Sequence, residues 1–159
     1  MEESNTKTKV LDCKASDNVY MHKDFHGGLC YSIKYVDEVY GEDATKDFLM
    51  QVGHTYFAPL SERLKSEGLK ALEQHWRKTF TDEGGSFDLR YADGTLVLEV
   101  QKCPAVAHLK ECNQFVTERF CETTVVVNEA ICRSAGYECS CTYEPGKGQC
   151  VQKFWKAGG

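Results

Sequence analysis

The sequence predicts an α+β domain in which an antiparallel sheet of about four strands, built from two hairpins, has helices packed on one face. Three observations predict this class. Apolar residues recur at helical spacing through 17–66 and 69–81. Strand-like alternation begins after Ser86 and returns at Tyr137. Each alternating stretch is divided by a turn sequence. The 159 residues form a single domain, 1–159, because a chain of this length can bury a core of its own.

The first predicted helix follows a polar segment, 1–9, that we expect to be disordered. This helix runs from Asp17 to Tyr40. Its apolar residues are three to five positions apart, at Tyr20, Phe25, Leu29, Ile33, Val36 and Tyr40. Gly27 and Gly28 lie inside the helix, where each glycine costs about 1 kcal/mol relative to alanine. The glycine pair therefore predicts close packing of another element, or of a ligand, at this point.

Two further helices are predicted before the first hairpin. One runs from Glu42 to Ser66, and Pro59 should kink or divide it because proline lacks a backbone donor and crowds the preceding turn. Its expected buried residues are Phe48, Leu49, Val52, Tyr56, Phe57, Leu60 and Leu64. Gly68 reads as a stop signal, and the next helix spans Leu69 to Thr81 before Gly84-Gly85.

The first hairpin is predicted by alternation around Asp93-Gly94, a two-residue turn signal. If Ala92 faces Thr95, each apolar residue of one strand faces an apolar residue of the other. The expected pairs are Tyr91 with Leu96, Leu89 with Leu98 and Phe87 with Val100.

The remaining elements are two helices and a second hairpin. Residues 105–111 suit a short helix and 122–133 a longer one, although the β-branched run 123–127 leaves strand as an alternative there. Residues 137–144 alternate as a half-buried strand, 145–148 form a turn, and Cys150 to Trp155 return as its partner.

Charge and hydropathy exclude several partners. A net charge of −5 and a pI near 5.5 argue against nucleic acid or an anionic membrane, because neutralising phosphates needs a basic surface. No apolar run approaches the roughly 20 residues of a membrane helix. The first ten residues have no apolar stretch typical of a signal peptide. We therefore expect a cytoplasmic protein that binds neither nucleic acid nor membrane.

The cysteines predict free thiols rather than a disulfide scaffold. Nine is an odd number, so at least one thiol is unpaired. In a reducing compartment the others remain free, bind metal or take part in chemistry.

A first candidate site is the stripe formed by His22, His26 and Cys30, which lie four residues apart on one side of a helix. Two imidazoles at this spacing can chelate a divalent metal such as zinc. The same residues could instead line a pocket or pack in the ordinary way. The sequence has neither GxGxxG nor GxxxxGK[ST], so it lacks the main signals for nucleotide cofactors.

A second candidate is the group of C-terminal thiols. Cys139 and Cys141 share one strand face, a four-residue loop would place Cys150 on that face, and Cys132 could reach it from the preceding helix. Four thiols suit zinc by number, but the CxC spacing differs from the CxxC of zinc ribbons. Packing of small apolar thiols in the core is therefore favoured.

A third candidate is Cys121, which is expected at or just before a helix N-terminus. The partial positive charge of that terminus lowers a thiol pKa and can stabilise an oxyanion. A nucleophilic cysteine also needs a base, and His26, His54 or His108 could serve. The alternatives are that Cys121 sits at a helix start by chance and that His54 is an ordinary core histidine.

The chain resembles a known family through four stretches, HKDFHGGLCYSIKYVDEVYG, QVGHTYFAPLSERLKSEGL, VLEVQKCPAVAHLK and RFCETTVVVNEAICRSAGYECSCTY. They are similar to bacterial proteins grouped with L-2-amino-thiazoline-4-carboxylic acid hydrolase, and in turn to vinyl-reductase-like ligand-binding domains. The latter end in a Glu…Cys…Gly…Cys motif, matched here by Glu129, Cys132, Gly136 and Cys139. The resemblance covers residues 20–155. It implies an α+β domain with a pocket between helices and sheet, and thiol-dependent opening of a cyclic isothiourea, with a divalent metal, Mn or Zn, as a possible cofactor.

The leading hypothesis is a small hydrolase acting on a C–N bond of a cyclic or amidine-like compound. Cys121 would be the nucleophile and His26 or His108 the base. Glu122 and Asn128 would orient the reacting groups. The ligand pocket would be lined by His22, Gly27, Cys30, His54 and Cys103.

Two alternatives remain open at this stage. One is a non-catalytic ligand-binding or sensor module with the same pocket. The other is a zinc-stabilised structural domain using Cys139, Cys141 and Cys150. A homodimer is also possible, because Tyr20, Tyr31, Tyr35 and Trp155 could line either a dimer surface or a pocket.

Overall fold

The computed structural model describes residues 19–158, which form helices and one antiparallel sheet. The helices are α1 (Val19–Tyr40), α2 (Glu42–Tyr56), α3 (Ala58–Glu67), α4 (Leu69–Asp82), α5 (Pro104–Glu111) and α6 (Glu122–Ala135). The strands are β1 (Ser86–Ala92), β2 (Thr95–Lys102), β3 (Tyr137–Tyr143) and β4 (Cys150–Lys156). The predicted α+β class is confirmed. The expected disorder of 1–9 lies outside the described residues.

The sheet has the order β1-β2-β4-β3, so two hairpins meet along the β2–β4 pairing. In the first hairpin Tyr91 faces Leu96, Leu89 faces Leu98 and Phe87 faces Val100, as predicted. Asp93 and Gly94 both have positive φ, 48° and 76°. Both positions of a type I′ turn need this conformation, which matches the twist of the two strands.

The second hairpin also has the predicted register, in which Tyr143 faces Cys150. Cys141 then faces Gln152 and Cys139 faces Phe154. Because side chains alternate along a strand, Cys139, Cys141 and Cys150 lie on one face of the sheet. Phe154 belongs to the core, so this is the face that the helices cover.

Two apolar clusters hold the layers together. The larger joins the inner face of the sheet to α3, α4 and α6, with Leu60, Leu64, Leu72, Phe80, Leu96, Leu98, Val100, Val127, Ile131, Cys132 and Phe154. The smaller joins α1, α2, α5 and the start of α6, with Cys30, Ile33, Leu49, Ala105, Val106, Leu109, Phe120 and Val126. Helices therefore pack on one face of the sheet, as predicted, and α1 packs on other helices.

The predicted 42–66 helix is two helices. Phe57 separates α2 from α3, and Pro59 occupies the first turn of α3. Proline is well accommodated there because the amide it lacks has no partner within the helix.

The expected apolar faces are wrong in part. Phe25 and Tyr40 on α1 are 63% and 66% exposed, and Tyr56 on α2 is 71% exposed. Ile33 is buried as predicted, and among the described side chains of α1 Gly27 and Cys30 are buried beside it. Spacing alone did not distinguish these two faces, since aromatic residues lie on one and small residues on the other.

The β-branched run, for which strand was the alternative, is helical. Residues 123–127 belong to α6, whose buried residues include Val126 and Val127. The helix ends at Gly136 in the left-handed conformation (φ 80°), and Tyr137 begins β3. Glycine suits this end because a Cβ is disfavoured at positive φ.

Candidate functional site: a thiol-lined cleft

An open cleft of about 510 Å³ lies between α6 and the edge strand β3. It is lined by Val125, Asn128, Glu129, Cys132, Arg133, Gly136, Tyr137, Glu138, Cys139, Ser140, Cys141, Trp155 and Ala157. We call it the α6–β3 cleft. All four residues of the Glu…Cys…Gly…Cys pattern line it, because the one-residue connection at Gly136 turns the end of α6 directly back along β3.

A thiol pair lies in the wall of this cleft. Cys132 comes from α6 and Cys139 from β3, and both line the cleft. The interaction between the two thiols lowers the pKa of Cys139 and raises that of Cys132. Arg133 lowers the pKa of Cys139 further, against the opposing effects of burial and of Glu129. The pair therefore presents one sulfur with thiolate character to the cleft.

Charged and aromatic groups complete the lining. Arg133 forms an ion pair with Glu129 one turn away on α6. The Trp155 indole N–H donates to Glu138 Oε2 over 2.9 Å. The cleft thus combines thiols and ring surfaces with one exposed guanidinium, a composition that suits a flat polar molecule.

A second group of thiols lies where α5, α6 and the β3–β4 loop meet. Cys103 and Cys121 are the N-cap residues of α5 and α6. Each is close enough to Cys150 for their charges to interact. We call Cys103, Cys121, Cys141 and Cys150 the thiol cluster. A backbone hydrogen bond connects the start of α5 to the β3–β4 loop beside this cluster, since Cys103 N–H donates to Gly148 O over 2.8 Å.

Cys121 lies at the predicted helix start, but its electrostatics differ from the expectation. Burial raises the pKa of this thiol to about 11, and the neighbouring sulfurs of Cys103 and Cys150 raise it too. A hydrogen bond with the backbone of Gly146 acts in the opposite direction and is outweighed. The expected lowering of the Cys121 pKa by the helix N-terminus is therefore wrong, because desolvation of the thiolate exceeds the helix-end effect.

Asn128 and Gln152 form a buried amide pair between α6 and β4. Asn128 Nδ2 donates to Gln152 Oε1 over 2.8 Å, and Gln152 Nε2 donates to Cys150 Sγ over 3.3 Å. Asn128, predicted to orient reacting groups, therefore reaches the thiol cluster through Gln152. Sequence reasoning missed Gln152, since a single glutamine in a strand carries no signal before its partner is known.

The predicted bases lie close to Glu83, and neither lines the α6–β3 cleft. His26 Nε2 is 2.9 Å from Glu83 Oε2, and that carboxylate is almost fully buried. Glu83 and His108 line a small cavity of about 110 Å³. His108 Nδ1 is also 3.7 Å from Cys112 Sγ. Burial raises the pKa of the Cys103 thiol, and the nearby Cys150 and Glu83 raise it further, so Cys103 lies near both regions.

Cys30, Gly27 and Gly28 on α1 do not line the α6–β3 cleft. Cys30 is buried, donates to Phe115 O and accepts from Thr117 N–H, each over 3.2 Å, so it anchors the loop between α5 and α6. A Cβ on Gly27 would lie 2.3 Å from the Gln114 side chain. The close packing predicted at the glycine pair is confirmed for Gly27. The prediction of close packing is wrong for Gly28, since nothing lies within 4 Å of its Cβ position.

The last predicted residues are dispersed. Glu122 pairs with Arg119 over 3.3 Å, and Arg119 also reaches Asp37 and Glu42. His54 is exposed, so its reading as a core histidine is wrong, and its Nδ1 lies 3.3 Å from Ser134 Oγ. The His22 side chain lies outside the described residues, and so does any metal site that would need it.

Within the described part of the chain, no group of three or more His, Cys, Asp or Glu residues has a geometry that could hold a metal ion. The residues there do not fit the divalent metal that the family resemblance implies, nor a zinc site at Cys139, Cys141 and Cys150. No helix among residues 19–158 is long and apolar enough to span a bilayer. Tyr31 and Tyr35 are exposed on α1, whereas Trp155 lies in the cleft, and the homodimer stays a prediction.

Comparison of the chain with known protein families, with curated proteins and with solved structures finds no match in any of the three. The resemblance to the thiazoline-carboxylate hydrolases therefore stays a prediction, and the site has to be interpreted from its own geometry.

Proposed function

We propose that this protein binds a small, flat heterocyclic molecule in the α6–β3 cleft, with the Cys139 sulfur facing the ligand. The observation that carries the proposal is the Cys132–Cys139 pair in the wall of the α6–β3 cleft. A thiol whose pKa is lowered is a better nucleophile and soft ligand at neutral pH than an ordinary cysteine.

The lining supports this class of ligand. Tyr137 and Trp155 offer ring faces to a planar molecule, and Val125 adds apolar surface. The Arg133 side chain is 70% exposed, so it can turn from Glu129 towards a ligand carboxylate, for which its planar fork is suited.

Hydrolysis of a C–N bond is the second candidate. The lowered pKa of Cys139 favours it, since covalent catalysis begins with a thiolate. In this version Cys139 is the nucleophile. Cys121, with its pKa near 11, has less thiolate character at neutral pH.

Binding is tested with 2-amino-thiazoline-4-carboxylate as the probe, by titration calorimetry, and with native mass spectrometry of the purified protein for molecules it already carries. Val125→Trp should fill the cleft and weaken binding at least tenfold. Cys112→Ser, an exposed thiol outside the cleft, is the matched control and should bind like the unaltered chain. Absence of both probe binding and a carried molecule would contradict the proposal.

Mass spectrometry of the product, with and without added Mn²⁺, separates the two candidates. Turnover that Cys139→Ser abolishes while binding persists would support the hydrolase. Binding with no product under either condition would support the binding module alone. Thermal unfolding of each variant checks that the fold is retained.

A further inference from the structure

A buried chain of hydrogen bonds ends on one sulfur of the thiol cluster. Asn128 and Gln152 are both buried, and side-chain amides cost free energy in the core unless they are bonded. Here Asn128 donates to Gln152, which donates to Cys150 Sγ. Donors aligned in series towards one acceptor favour negative charge on it. The core therefore contains a polar chain that stabilises a thiolate at Cys150.

Cys150 has a second thiol beside it on the neighbouring strand. Cys141 faces Gln152 and Cys150 faces Tyr143, so the two cysteines are diagonal neighbours on the inner face of the second hairpin. The interaction with the Cys141 thiol, together with the bond from Gln152, lowers the pKa of Cys150 to about 7 against the opposing effect of burial, whereas the pKa of Cys141 is raised. Near neutral pH a large fraction of Cys150 is thiolate beside a protonated Cys141.

We propose that Cys141 and Cys150 form a peroxide-reactive dithiol, in which Cys150 is the attacking sulfur and Cys141 the resolving one. The Cys150 thiolate attacks one oxygen of a hydroperoxide, the O–O bond breaks, and the other oxygen leaves as an alcohol or water after taking a proton. Cys150 becomes a sulfenic acid. Cys141 then attacks this sulfur, the S–O bond breaks and water leaves with the thiol proton. The net change is two thiols and one hydroperoxide to one disulfide, one alcohol or water, and one further water.

The strand geometry allows the disulfide but strains it. Diagonal partners in an antiparallel pair have Cα atoms about 7–8 Å apart, slightly beyond the usual disulfide range of about 4.4–6.8 Å. Closure requires a shift of about 1 Å at the end of the hairpin. The connecting loop, in which Gly146 and Gly148 both have positive φ, must move with this shift, and the bond from Cys103 N–H to Gly148 O opposes it. A strained disulfide is easily reduced, which makes the oxidation reversible.

Solvent access and the pKa values of the neighbouring thiols determine which cysteines of the cluster can react with peroxide. Cys141 lines the α6–β3 cleft and Cys150 is partly exposed, so both sulfurs of the pair have some access to solvent. The other two members of the thiol cluster, Cys103 and Cys121, have raised pKa values because they are buried, and they stay protonated near neutral pH. The dithiol does not depend on the proposed ligand, because its test uses peroxide alone.

The full-length protein, freed of reductant, is treated with one equivalent of hydrogen peroxide near neutral pH, its remaining thiols are alkylated, and it is digested with trypsin. Mass spectrometry should find peptide 134–147 joined to peptide 148–153, with fragmentation locating the bond between Cys141 and Cys150 rather than Cys139. Dithiothreitol should restore both thiols. A bond between other cysteines, or none, would overturn the proposal.

Two variants separate the roles. With Cys141→Ala the cross-link should disappear, and dimedone should capture a sulfenic acid on Cys150. With Cys150→Ser peroxide consumption should fall at least tenfold, and an unchanged rate would reject Cys150 as the attacking sulfur. Gln152→Met keeps the side-chain shape while removing the donor, and it should move the pH midpoint of Cys150 alkylation upward. In the unaltered chain that midpoint should lie well below the midpoint of Cys121, which covers the case in which a core variant fails to fold.

Discussion

His75 shows how burial can set the behaviour of a single side chain. Its ring meets Phe57 edge-to-face, with centroids 6.0 Å apart, and Trp76 at 4.6 Å. Desolvation in this aromatic setting, assisted by the charge of Arg63, lowers the pKa of His75 to about 4. The imidazole is therefore neutral in the folded protein at pH values where an unfolded histidine is already protonated.

This difference predicts acid-sensitive stability. The pKa of His75 is lower in the folded than in the unfolded chain, so its contribution is present above pH 6.5 and is lost as the pH falls towards 4. We expect the free energy of unfolding to fall by up to about 3 kcal/mol across this window. Urea unfolding at several pH values measures it. His75→Phe keeps the ring contacts and should flatten this part of the profile, and an unchanged profile would contradict the assignment to His75.

Cys121 gives the opposite pH dependence. Its folded pKa, about 11, is raised above the ordinary value of 9.0. The unfolded chain therefore loses this proton first, and stability falls as the pH rises from 9 to 11. We expect Cys121 to contribute about 2–3 kcal/mol to this loss.

Urea unfolding under reductant at alkaline pH measures the contribution of Cys121. Cys121→Ser should make the alkaline loss smaller than in the unaltered chain. Cys112→Ser, at an exposed position, should leave it unchanged. Equal slopes for all three proteins would show that Cys121 does not titrate as described.

At the scale of elements, the contact between α2 and α6 depends on Gly53. A Cβ at this position would lie 2.4 Å from Ala130 Cβ and 3.2 Å from Val127 O. The two helix backbones can approach this closely only because Gly53 has no side chain. Gly28 on α1 differs, since nothing lies within 4 Å of its Cβ position.

These two glycines form a matched pair of substitutions. Gly53→Ala should lower the free energy of unfolding by about 1–3 kcal/mol, because overpacking exceeds the gain in helix propensity. Gly28→Ala should raise it by about 0.5–1 kcal/mol, because alanine is the better helix former and meets nothing. Chemical denaturation of both variants provides the measurement. A Gly53→Ala variant as stable as Gly28→Ala would contradict the close contact.

Local signals explain which elements could be predicted from the sequence. Both hairpin registers follow from alternation and turn residues that lie within a few positions of each other. Pro59 predicted an interruption near Phe57, but the sequence did not show whether the helix would be kinked or divided in two. The buried face of α1 was predicted in part, since Ile33 is buried, but Gly27 and Cys30 also contribute to it and aromatic residues such as Phe25 remain exposed.

At the scale of the whole molecule, the candidate site was harder to predict than the fold. Sequence reasoning selected Cys121 from a helix-end effect, but long-range packing around that thiol decides its pKa. His26 and His108 could be recognised as titratable, whereas their position beside Glu83 depends on the packing of distant segments. The cleft motif at Glu129, Cys132, Gly136 and Cys139 was visible in the sequence, and only the turn at Gly136 shows that these residues share one cavity.

The strand order β1-β2-β4-β3 has a consequence for how the chain folds. Each hairpin pairs two strands that follow one another in the sequence, and isolated hairpins form in about 1–10 μs. The pairing of β2 with β4 joins Leu98 to Gln152. It requires the long segment between these strands, which contains α5 and α6, to bring its two ends together. Closing such a long loop carries an entropic cost that local turns avoid. We therefore expect the β2–β4 pairing to form after the two hairpins, and the buried amide pair and the thiol cluster to be assembled with it.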